Sequence, residues 1–227
     1  MSRPRLLDLF SGAGGSAVGY HRAGFDVVGV DIEPQPHYPF DFERGDAIEV
    51  LRSGFTPEVM SKVAEDFDAI HASPPCPGYT TMNNRHGSRA PKLIGQVREL
   101  LEATGLPWVM ENVPGALSEM RSPIELTGEM FGLGVHRPRL FESSVMLLAP
   151  PRPPRQTDAA AVYGKNDGRR LWTRSDGSEL RVADLETARE AMGMPWADWQ
   201  GVKDAVPPAM TEYIGAQLRR HLEMSNA

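Results

Sequence analysis

The sequence predicts an α/β fold built around an open sheet, and three short apolar regions support that prediction. Residues 5–30 read as strand, glycine-rich turn, helix and strand, and runs at 69–72 and 108–110 have the composition of buried strands. Each region ends close to an acidic or thiol-bearing side chain: Asp31, Cys76 and Glu111. Ligands of open α/β sheets collect at the carboxyl ends of the strands, so we expect these side chains to share one edge.

The glycine-rich turn SGAGG follows the first predicted strand and precedes a helix at 16–22. Glycines allow a ligand to approach the backbone at a helix N-terminus, and Asp31 has the position of a residue that binds ribose hydroxyls. The turn lacks the third glycine of GxGxxG, which favours a nucleoside without a pyrophosphate. Asp46 follows the next extended stretch, where either contact with an adenine amino group or helix capping is expected.

Cys76 is the only cysteine among the 227 residues, and it lies in the stretch SPPCPG. Pro74 and Pro75 fix the backbone before the thiol and cannot continue a strand ladder, which favours a positioned thiol. The alternative is a small buried hydrophobic side chain, the usual role of a lone cysteine. One cysteine also excludes an internal disulfide and a multi-cysteine zinc site, and it fits a reducing compartment.

The charge distribution indicates a surface for nucleic acid, although the net charge is −6. Residues 136–181 hold nine Lys/Arg against five Asp/Glu, a local charge of +4 that leaves −10 elsewhere. A basic segment on an acidic body favours contact with phosphates, and an arginine-rich solvated surface is the alternative. The polar stretch 82–92 directly after Cys76 is a candidate lid or an ordinary surface loop.

The length predicts one soluble domain with a small insertion. The N-terminal residues pass directly into a predicted strand without a signal-peptide pattern, and no apolar run has membrane-spanning length. We therefore expect a cytoplasmic monomer with neither a membrane nor a metal partner.

The remaining elements are read from periodicity and composition. Helices are predicted at 56–67, 93–101, 185–192 and 207–224. A strand is predicted at 139–142, and Arg137 and Arg139 are expected to point the same way because strand side chains alternate between faces. Residues 142–184, with a proline-rich linker and no helical period, predict a small irregular or hairpin-rich region.

Six stretches of the chain, in order, resemble motifs of the cytosine-5 DNA methyltransferase family, of the small bacterial or phage type. They are DLFSGAGG (8–15), SPPC (73–76), ENV (111–113), RPRLF (137–141), AREAMGMP (188–195) and DAVPPAMTEYIG (204–215). Together they span nearly the whole chain except 142–184, and six motifs in the family's order make a strong signal.

The resemblance implies a Rossmann-like, S-adenosylmethionine-dependent methyltransferase sheet with helices on both faces. Residues 1–141 and 185–227 would form the cofactor-binding catalytic domain, and 142–184 a small target-recognition region. The implied cofactor is S-adenosylmethionine, with S-adenosylhomocysteine as its product. The implied partner is double-stranded DNA, as for enzymes of restriction–modification systems.

The resemblance also implies the site residues. The implied catalytic residues are Cys76, Glu111, Arg137 and Arg139. The implied cofactor-binding residues are Asp8, Phe10, Ser11, Gly12, Gly14, Gly15, Asp31, Ile32, Asp46, Ala47, Pro74, Asp204 and Ala205. Arg85, Arg89, Arg169, Arg170 and Arg174 are the expected nucleic-acid contacts. Phe10 would lie against the adenine and Asp31 would bind the ribose.

The chemistry explains why such residues are needed. Carbon 5 of cytosine becomes nucleophilic when a thiolate adds to carbon 6, which assigns Cys76 as nucleophile. Glu111 would hydrogen-bond ring nitrogen 3, and we expect burial to raise its pKa. Arg139 would hold the base oxygen and favour the Cys76 thiolate, while Arg137 has a supporting role. The target base must leave the duplex, at a cost of about a few kcal/mol.

Three departures from the family pattern leave alternatives open. Pro77 stands where the family often has a polar residue, Val135 where a glutamine is usual, and Lys203-Asp204 where Gly-Asn is usual. The altered charge at 203–204 leaves transfer of a modified alkyl group from an S-adenosylmethionine analogue as one alternative. Methylation of tRNA or RNA and nucleic-acid binding without activity are two others. A nicotinamide dehydrogenase would explain neither Cys76 nor Glu111.

Overall fold

The computed structural model describes residues 2–53, 66–76, 92–154, 156–166, 170–173 and 179–225. Its strands are β1 (Arg5–Leu9), β2 (Asp26–Asp31), β3 (Asp41–Arg44), β4 (Ala69–Ala72), β5 (Trp108–Asn112), β6 (Ile124–Leu126), β7 (Arg139–Ser143), β8 (Arg170–Thr173) and β9 (Glu179–Arg181). Its helices are α1 (Gly15–Arg22), α2 (Ala47–Ser53), α3 (Ile94–Ala103), α4 (Leu185–Met192), α5 (Trp199–Asp204) and α6 (Pro208–Ser225). Short 3₁₀ helices lie at Pro114–Ala116 and Gly128–Phe131.

Seven strands form one sheet in the order β3-β2-β1-β4-β5-β7-β6. The first five in this order are parallel, whereas β7 runs antiparallel to both β5 and β6. The α/β prediction is confirmed. The strand order places β1 and β4 side by side, and β4 beside β5, so their carboxyl ends lie at one edge.

Helices cover both faces of the sheet, as predicted. On one face, α2 and α3 pack over a core that includes Leu7, Ile70 and Met110. On the other face, α1 and α6 pack over a core that includes Tyr20 and Ile214. The two-residue alternation of strand side chains divides each strand between these cores. None of the helices within these residue ranges is long and apolar enough to span a membrane.

The C-terminal helix returns to the N-terminal part of the fold. Thr211 of α6 donates a hydrogen bond to the carbonyl of Ser16 in α1 at 3.0 Å. Gly19 faces this contact, and a Cβ atom there would lie 2.0 Å from the Thr211 hydroxyl. The close approach of the two helices therefore depends on the glycine.

A smaller core joins α4 and α5 to the loop before β7 and to residues 160–162 after it. It includes Val135, Val162, Met192 and Val202. Isolated bridges pair Val135 with Ala160 and Ala161 with Val182. Strands β8 and β9 form a separate antiparallel pair, in agreement with the hairpin-rich character expected of residues 142–184. The role of this region in target recognition stays a prediction.

Most predicted elements lie within two residues of the observed ones, including α4, whose bounds match. The helix at 56–67 and the lid at 82–92 fall almost wholly outside the described residues. The strand basis of one expectation is wrong. Strand β7 begins at Arg139, and Arg137 has a left-handed φ of 40°, so strand alternation does not relate the two arginines. The charges of both nevertheless lower the pKa of Glu111, so both side chains lie near that carboxyl.

Candidate active site

The Cys76 thiol follows a turn that is tied to both neighbouring strands. After β4, the amide of Ser73 donates to the carbonyl of Leu9 in β1 at 3.1 Å. The carbonyl of Pro74 accepts a buried hydrogen bond from the side-chain amide of Asn112, at the end of β5, at 2.9 Å. Cys76 is a free cysteine of intermediate burial. The thiol is therefore held at the rim of the sheet and is not sequestered in the interior.

The pKa of the Cys76 thiol is raised above its ordinary value. Burial is the largest cause, and the charges of Glu111 and Asp204 act in the same direction. The positive charge of Arg139 lowers the pKa, as predicted from the sequence, but burial outweighs it. The predicted contribution of Arg139 therefore has the right sign, while burial and the two carboxylates set the net direction of the Cys76 pKa.

The Glu111 carboxyl lies in β5, is 6% exposed, and has a raised pKa. Burial is the main cause, which confirms the prediction from the sequence. The charges of Arg139 and Arg137 and a hydrogen bond from the Ser73 hydroxyl oppose it. The charge of Glu111 also raises the pKa of Cys76, so the two groups share one electrostatic environment.

Arg139 and Glu111 form an ion pair across β7 and β5. Nε of Arg139 lies 2.8 Å from Oε1 of Glu111, and both side chains are less than 10% exposed. Oε1 nevertheless has no aligned hydrogen-bond donor among the described residues, and Nη1 of Arg139 donates to the carbonyl of Pro138 at 3.0 Å. The distance makes this a strong charge contact, while the geometry leaves the oxygen open to another donor.

In the described part of the chain, the hydrogen bonds of Arg137 go to backbone carbonyls and to no carboxylate. Its guanidinium donates to the carbonyls of Lys203, Ala205 and Val162, the latter two at 2.8 and 3.4 Å. Burial lowers its pKa to about 9. These contacts connect the loop before β7 to the α5–α6 junction, which matches the supporting role expected of Arg137. A direct catalytic role of Arg137 stays a prediction.

The departure at 203–204 lies beside this site. The charge of Asp204 acts on the pKa values of Cys76 and Arg137, although its side chain is 63% exposed. Nζ of Lys203 donates to Gln200 at 2.8 Å and lies 3.9 Å from Oδ1 of Asp204. Asp204 therefore adds a negative charge that acts on the thiol. The positive charge of Lys203 is held by Gln200 within α5.

The glycine turn is fixed by Asp31. Oδ2 of Asp31 accepts from the amide of Gly12 at 2.9 Å, and Oδ1 accepts from the amide of Glu33 at 3.0 Å. Left-handed φ values of 57° and 80° occur at Phe10 and Gly14. The carboxylate thus bridges the ends of β1 and β2 and shapes the turn between them.

Close packing shapes the other side of this turn. A Cβ atom at Gly15 would lie 2.3 Å from the carbonyl of Val206, so only glycine admits the α5–α6 junction here. The indole of Trp196 donates to the carbonyl of Ala13 at 2.9 Å. The last two sequence motifs therefore line the glycine turn of the first, which brings together residues that are about 190 positions apart.

The residues at this turn fit a nucleoside-containing cofactor. Oδ1 of Asp8 and Oγ of Ser11 are buried without a hydrogen-bond partner in the described part of the chain. Gly12 faces open space, and Ile32, directly after Asp31, is 60% exposed. Unpaired polar atoms, an open backbone and an exposed apolar side chain are features of a ligand site, and they suit S-adenosylmethionine.

Other predicted cofactor residues have contacts within the protein. Asp8 is fully buried, and its Oδ2 accepts from the Tyr38 hydroxyl at 3.2 Å. Oδ1 of Asp46 accepts from the amide of Ile48 at 2.8 Å, which is the capping role weighed from the sequence. Ala47 is buried at the start of α2. The roles of these residues toward a cofactor stay predictions.

The predicted nucleic-acid contacts lie almost entirely outside the described residues. Arg85, Arg89, Arg169 and Arg174 are in that group, and only the backbone of Arg170, in β8, is described. Their contact with DNA stays a prediction.

Four polar residues of the site were not identified from the sequence. Tyr20, His71 and Ser73 form a hydrogen-bonded series that ends at Glu111, and Asn112 holds the turn that bears Cys76. His71 lies in an apolar strand, and this unusual placement was the available signal. Asn112 lies within the ENV motif, directly after Glu111, and its place in that motif was the available signal.

The described parts of the site define a protein with a partly buried free thiol and a buried carboxyl at the carboxyl edge of an α/β sheet, beside a turn suited to a nucleoside. The family model described as C-5 cytosine-specific DNA methylase matches residues 4–126. The chain therefore belongs to that family.

Two relatives by sequence are Type II methyltransferases. M.XorII of Xanthomonas oryzae pv. oryzae is 33% identical over 124 residues, which cover 51% of this chain and 29% of that protein. M.AquIA of Picosynechococcus sp. is 31% identical over 124 residues, which cover 50% of each chain. The chain thus matches half or less of the length of these relatives.

Two solved structures share the fold over nearly the whole chain. One is described as a DNA modification methyltransferase encoded within an E. coli prophage, with a TM-score of 0.65 and 16% identity. The other is S. pombe Dnmt2, with a TM-score of 0.58 and 12% identity. Each alignment covers 97% of this chain and 99% of the other. The fold extends beyond the region that the family model matches.

Proposed function

We propose that this protein is a DNA (cytosine-5-)-methyltransferase that takes its methyl group from S-adenosylmethionine. The single observation that supports this most is the meeting of three groups at the carboxyl edge of the sheet: Arg139 is ion-paired with Glu111, and the charges of both act on the pKa of Cys76. The family membership supplies the cytosine ring as the group on which these side chains act.

Cys76 is the nucleophile in this proposal. Its thiolate forms a bond to carbon 6 of a cytosine and makes carbon 5 electron-rich. Carbon 5 then gains a methyl group and loses its proton, and elimination of the thiolate restores the aromatic ring. The thiol proton must leave before attack, and the raised pKa makes removal of this proton a demanding step in the free protein.

Glu111 and Arg139 stabilise the negative charge that develops on the cytosine ring. A protonated Glu111 donates to ring nitrogen 3 and neutralises the negative charge produced by thiolate addition. The raised pKa of Glu111 increases the fraction that holds this proton. Arg139 contacts the base oxygen while its charge opposes the high pKa of Cys76.

S-adenosylmethionine supplies an electrophilic methyl group when it is bound. Asp31 and the glycine turn would hold its nucleoside, and Phe10, Ile32 and Asp46 would lie around the adenine. The unpaired Oγ of Ser11 offers a further polar contact. S-adenosylhomocysteine leaves as the product.

Double-stranded DNA is the proposed substrate polymer, with the target base rotated out of the helix. Residues 142–184 and the arginines within them contact the DNA in this proposal. A cytoplasmic monomer remains our expectation.

Trapping of the covalent adduct tests the proposal. With S-adenosylmethionine and duplex DNA that carries 5-fluorocytosine, the native protein forms an adduct that survives denaturation, because fluorine cannot leave carbon 5 as a proton does. Cys76→Ala forms none. The control Ser225→Ala, which removes one heteroatom from the exposed end of α6, forms the adduct as the native protein does. Absence of an adduct with the native protein, across DNA of varied sequence, contradicts the covalent mechanism.

The same material distinguishes the alternatives. Competition between duplex DNA and tRNA for labelled methyl groups assigns the polymer, and methyl transfer to tRNA alone overturns the choice of DNA. Mass spectrometry of cellular DNA gives the transferred group. A cytosine product heavier than 5-methylcytosine overturns the choice of a methyl donor.

A further inference from the structure

A line of buried hydrogen bonds connects helix α1 to the Glu111 carboxyl. The Tyr20 hydroxyl lies 3.0 Å from Nδ1 of His71, and Nε2 of His71 lies 2.9 Å from Oγ of Ser73. The Ser73 hydroxyl lies near Glu111 and lowers the pKa of its carboxyl, as a hydrogen-bond donor does. Tyr20 and His71 have no exposed surface, so the series is shielded from solvent up to the edge of the site.

His71 is neutral at physiological pH, since burial lowers its pKa to about 3. A neutral imidazole has one donor and one acceptor nitrogen, and here each nitrogen has one partner. The ring therefore couples its two hydrogen bonds: when one nitrogen donates, the other must accept. The charged imidazolium, with two donors, would not do this.

The series has two possible directions, and only one of them gives the Tyr20 hydroxyl an acceptor. With Glu111 ionised, Tyr20 donates to His71, His71 donates to Ser73, and Ser73 donates to the carboxylate. With Glu111 protonated and donating to Ser73, each donor and acceptor is exchanged, and the buried Tyr20 hydrogen has no acceptor among the described residues. The series therefore favours the ionised carboxylate and opposes the effect of burial on Glu111.

We propose that His71 and Ser73 are positioning residues that, together with Tyr20, carry a directed chain of hydrogen bonds to the Glu111 carboxyl. The inference rests on the proposed role of Glu111. The chain fixes the orientation of the carboxyl at the end of β5 and sets which of its oxygens faces the ring. It also makes the balance between the two protonation states depend on a phenol hydroxyl in α1, the helix that follows the glycine turn.

Other charged groups face Glu111 and contribute to its titration. They are Arg139 from β7, Arg137 from the loop before it, and Cys76 from the turn after β4. None of these is altered in the variants below, so a change in the Glu111 titration reports on the hydrogen-bond chain.

Titration of Glu111 by carboxyl-¹³C NMR tests the chain directly, with the signal assigned by its absence in Glu111→Gln. In Ser73→Ala the midpoint moves to higher pH, because the ionised carboxylate loses a donor. Ser73→Thr restores the native midpoint. Tyr20→Phe gives a smaller shift in the same direction, although residue 20 has no hydrogen bond to Glu111. The control Thr211→Val, which removes a buried hydroxyl between α1 and α6, leaves the midpoint unchanged.

Kinetics supply the second measurement. Ser73→Ala lowers kcat roughly tenfold and Tyr20→Phe roughly threefold, because the loss of a fixed carboxyl orientation outweighs the larger protonated fraction of Glu111. The KM values for DNA and S-adenosylmethionine stay within about twofold of native, because the chain acts on Glu111 and not on binding. Ser73→Thr recovers most of kcat, which a merely structural defect would not predict.

The outcomes separate this inference from the proposed function. An unchanged Glu111 midpoint in both Ser73→Ala and Tyr20→Phe overturns the chain, even in a protein that methylates DNA. A shifted midpoint in a protein without methyl transfer retains the chain and overturns the proposed function. A Tyr20→Phe midpoint equal to native, with Ser73→Ala shifted, reduces the chain to one local hydrogen bond and also overturns it.

Discussion

Two buried Arg–Glu pairs lie on opposite faces of strand β7 and differ in how fully they are satisfied. In the first pair, Arg98 of α3 grips Glu142 with two hydrogen bonds of 2.5 and 2.8 Å. Arg98 also donates to the carbonyl of Glu119 at 2.6 Å, and the amide of Arg121 donates to Glu142 at 2.8 Å. At 6% and 3% side-chain exposure, both carboxylate oxygens of Glu142 thus accept hydrogen bonds.

The second pair, Arg139 and Glu111, is almost equally buried but incompletely bonded. Oε1 of Glu111 has a charged neighbour at 2.8 Å and no aligned donor within the described ranges. The Arg98–Glu142 pair holds α3 against the sheet, whereas the Arg139–Glu111 pair keeps hydrogen-bonding capacity for another molecule. The difference shows that burial of a charge pair does not by itself identify a functional site. A buried polar atom without a hydrogen-bond partner is the more informative sign.

Stability measurements should separate the two pairs most strongly. Glu142→Gln leaves Arg98 buried without its charge partner, and we expect a loss of about 3–5 kcal/mol in the free energy of unfolding. Glu111→Gln should cost less than about 1 kcal/mol, because burial already disfavours the Glu111 charge. Urea unfolding of both variants gives the values. Equal losses would show that the pairs are energetically alike.

Activity should reverse that order. Glu111→Gln removes the proton donor to the ring, and we expect kcat to fall by about a hundredfold or more. Glu142→Gln should retain native kcat per folded molecule. Single-turnover methyl transfer, at a temperature where both variants are folded, measures this. A native-like kcat for Glu111→Gln would remove its assigned role.

The pH dependence of stability sharpens the comparison, because His71 is a buried titratable group in the hydrogen-bond series that leads to Glu111. The unfolded chain takes up a proton at His71 near the ordinary pKa of 6.5, while the folded protein resists it until about pH 3. Stability is therefore lost as pH falls through this window. Between pH 7 and pH 5 the His71 share is about 2 kcal/mol.

His71→Gln removes that share. We expect the variant to lose about 2 kcal/mol less stability than the native protein over the same pH interval, as measured by urea unfolding at each pH. Comparison of the two slopes cancels the constant cost of the substitution. Parallel slopes would mean that His71 titrates in the folded protein near its ordinary pKa.

The smallest effects concern the thiol. Because Cys76 is the only cysteine, its alkylation by iodoacetamide reports its titration without interference. The midpoint should lie above that of an ordinary cysteine, rise further in Arg139→Ala, and fall in Glu111→Gln. Glu142→Gln should not move it, since Glu142 is not among the groups that shift the thiol. A native midpoint below the ordinary value would reverse the balance of burial and charge.

The strands and helices of this protein could largely be predicted from its sequence, because short apolar runs are separated by glycine, proline and acidic residues. The three polar positions at the ends of β2, β4 and β5 were predicted to share an edge, and topology alone justified it. The short strand β6 and the antiparallel direction of β7 were not predicted, since their pairing is set by partners elsewhere in the chain.

The site was predicted less completely than the fold. The left-handed backbone at Arg137 precedes a proline, a combination that local preference disfavours and only the surrounding packing can maintain. The partner of His71 is 51 positions away, so no local pattern indicates it. The net direction of the Cys76 pKa depends on the competition between burial and charge, which requires the folded geometry.

The contact between Thr211 and Ser16 has a consequence for biosynthesis. The two residues are 195 positions apart, and α6 completes the cover of the apolar sheet face on which α1 packs. During translation, that face stays incompletely covered until residues 208–225 have left the ribosome. Nascent chains of this protein should therefore need protection from aggregation for most of their synthesis, and the completed core should form late.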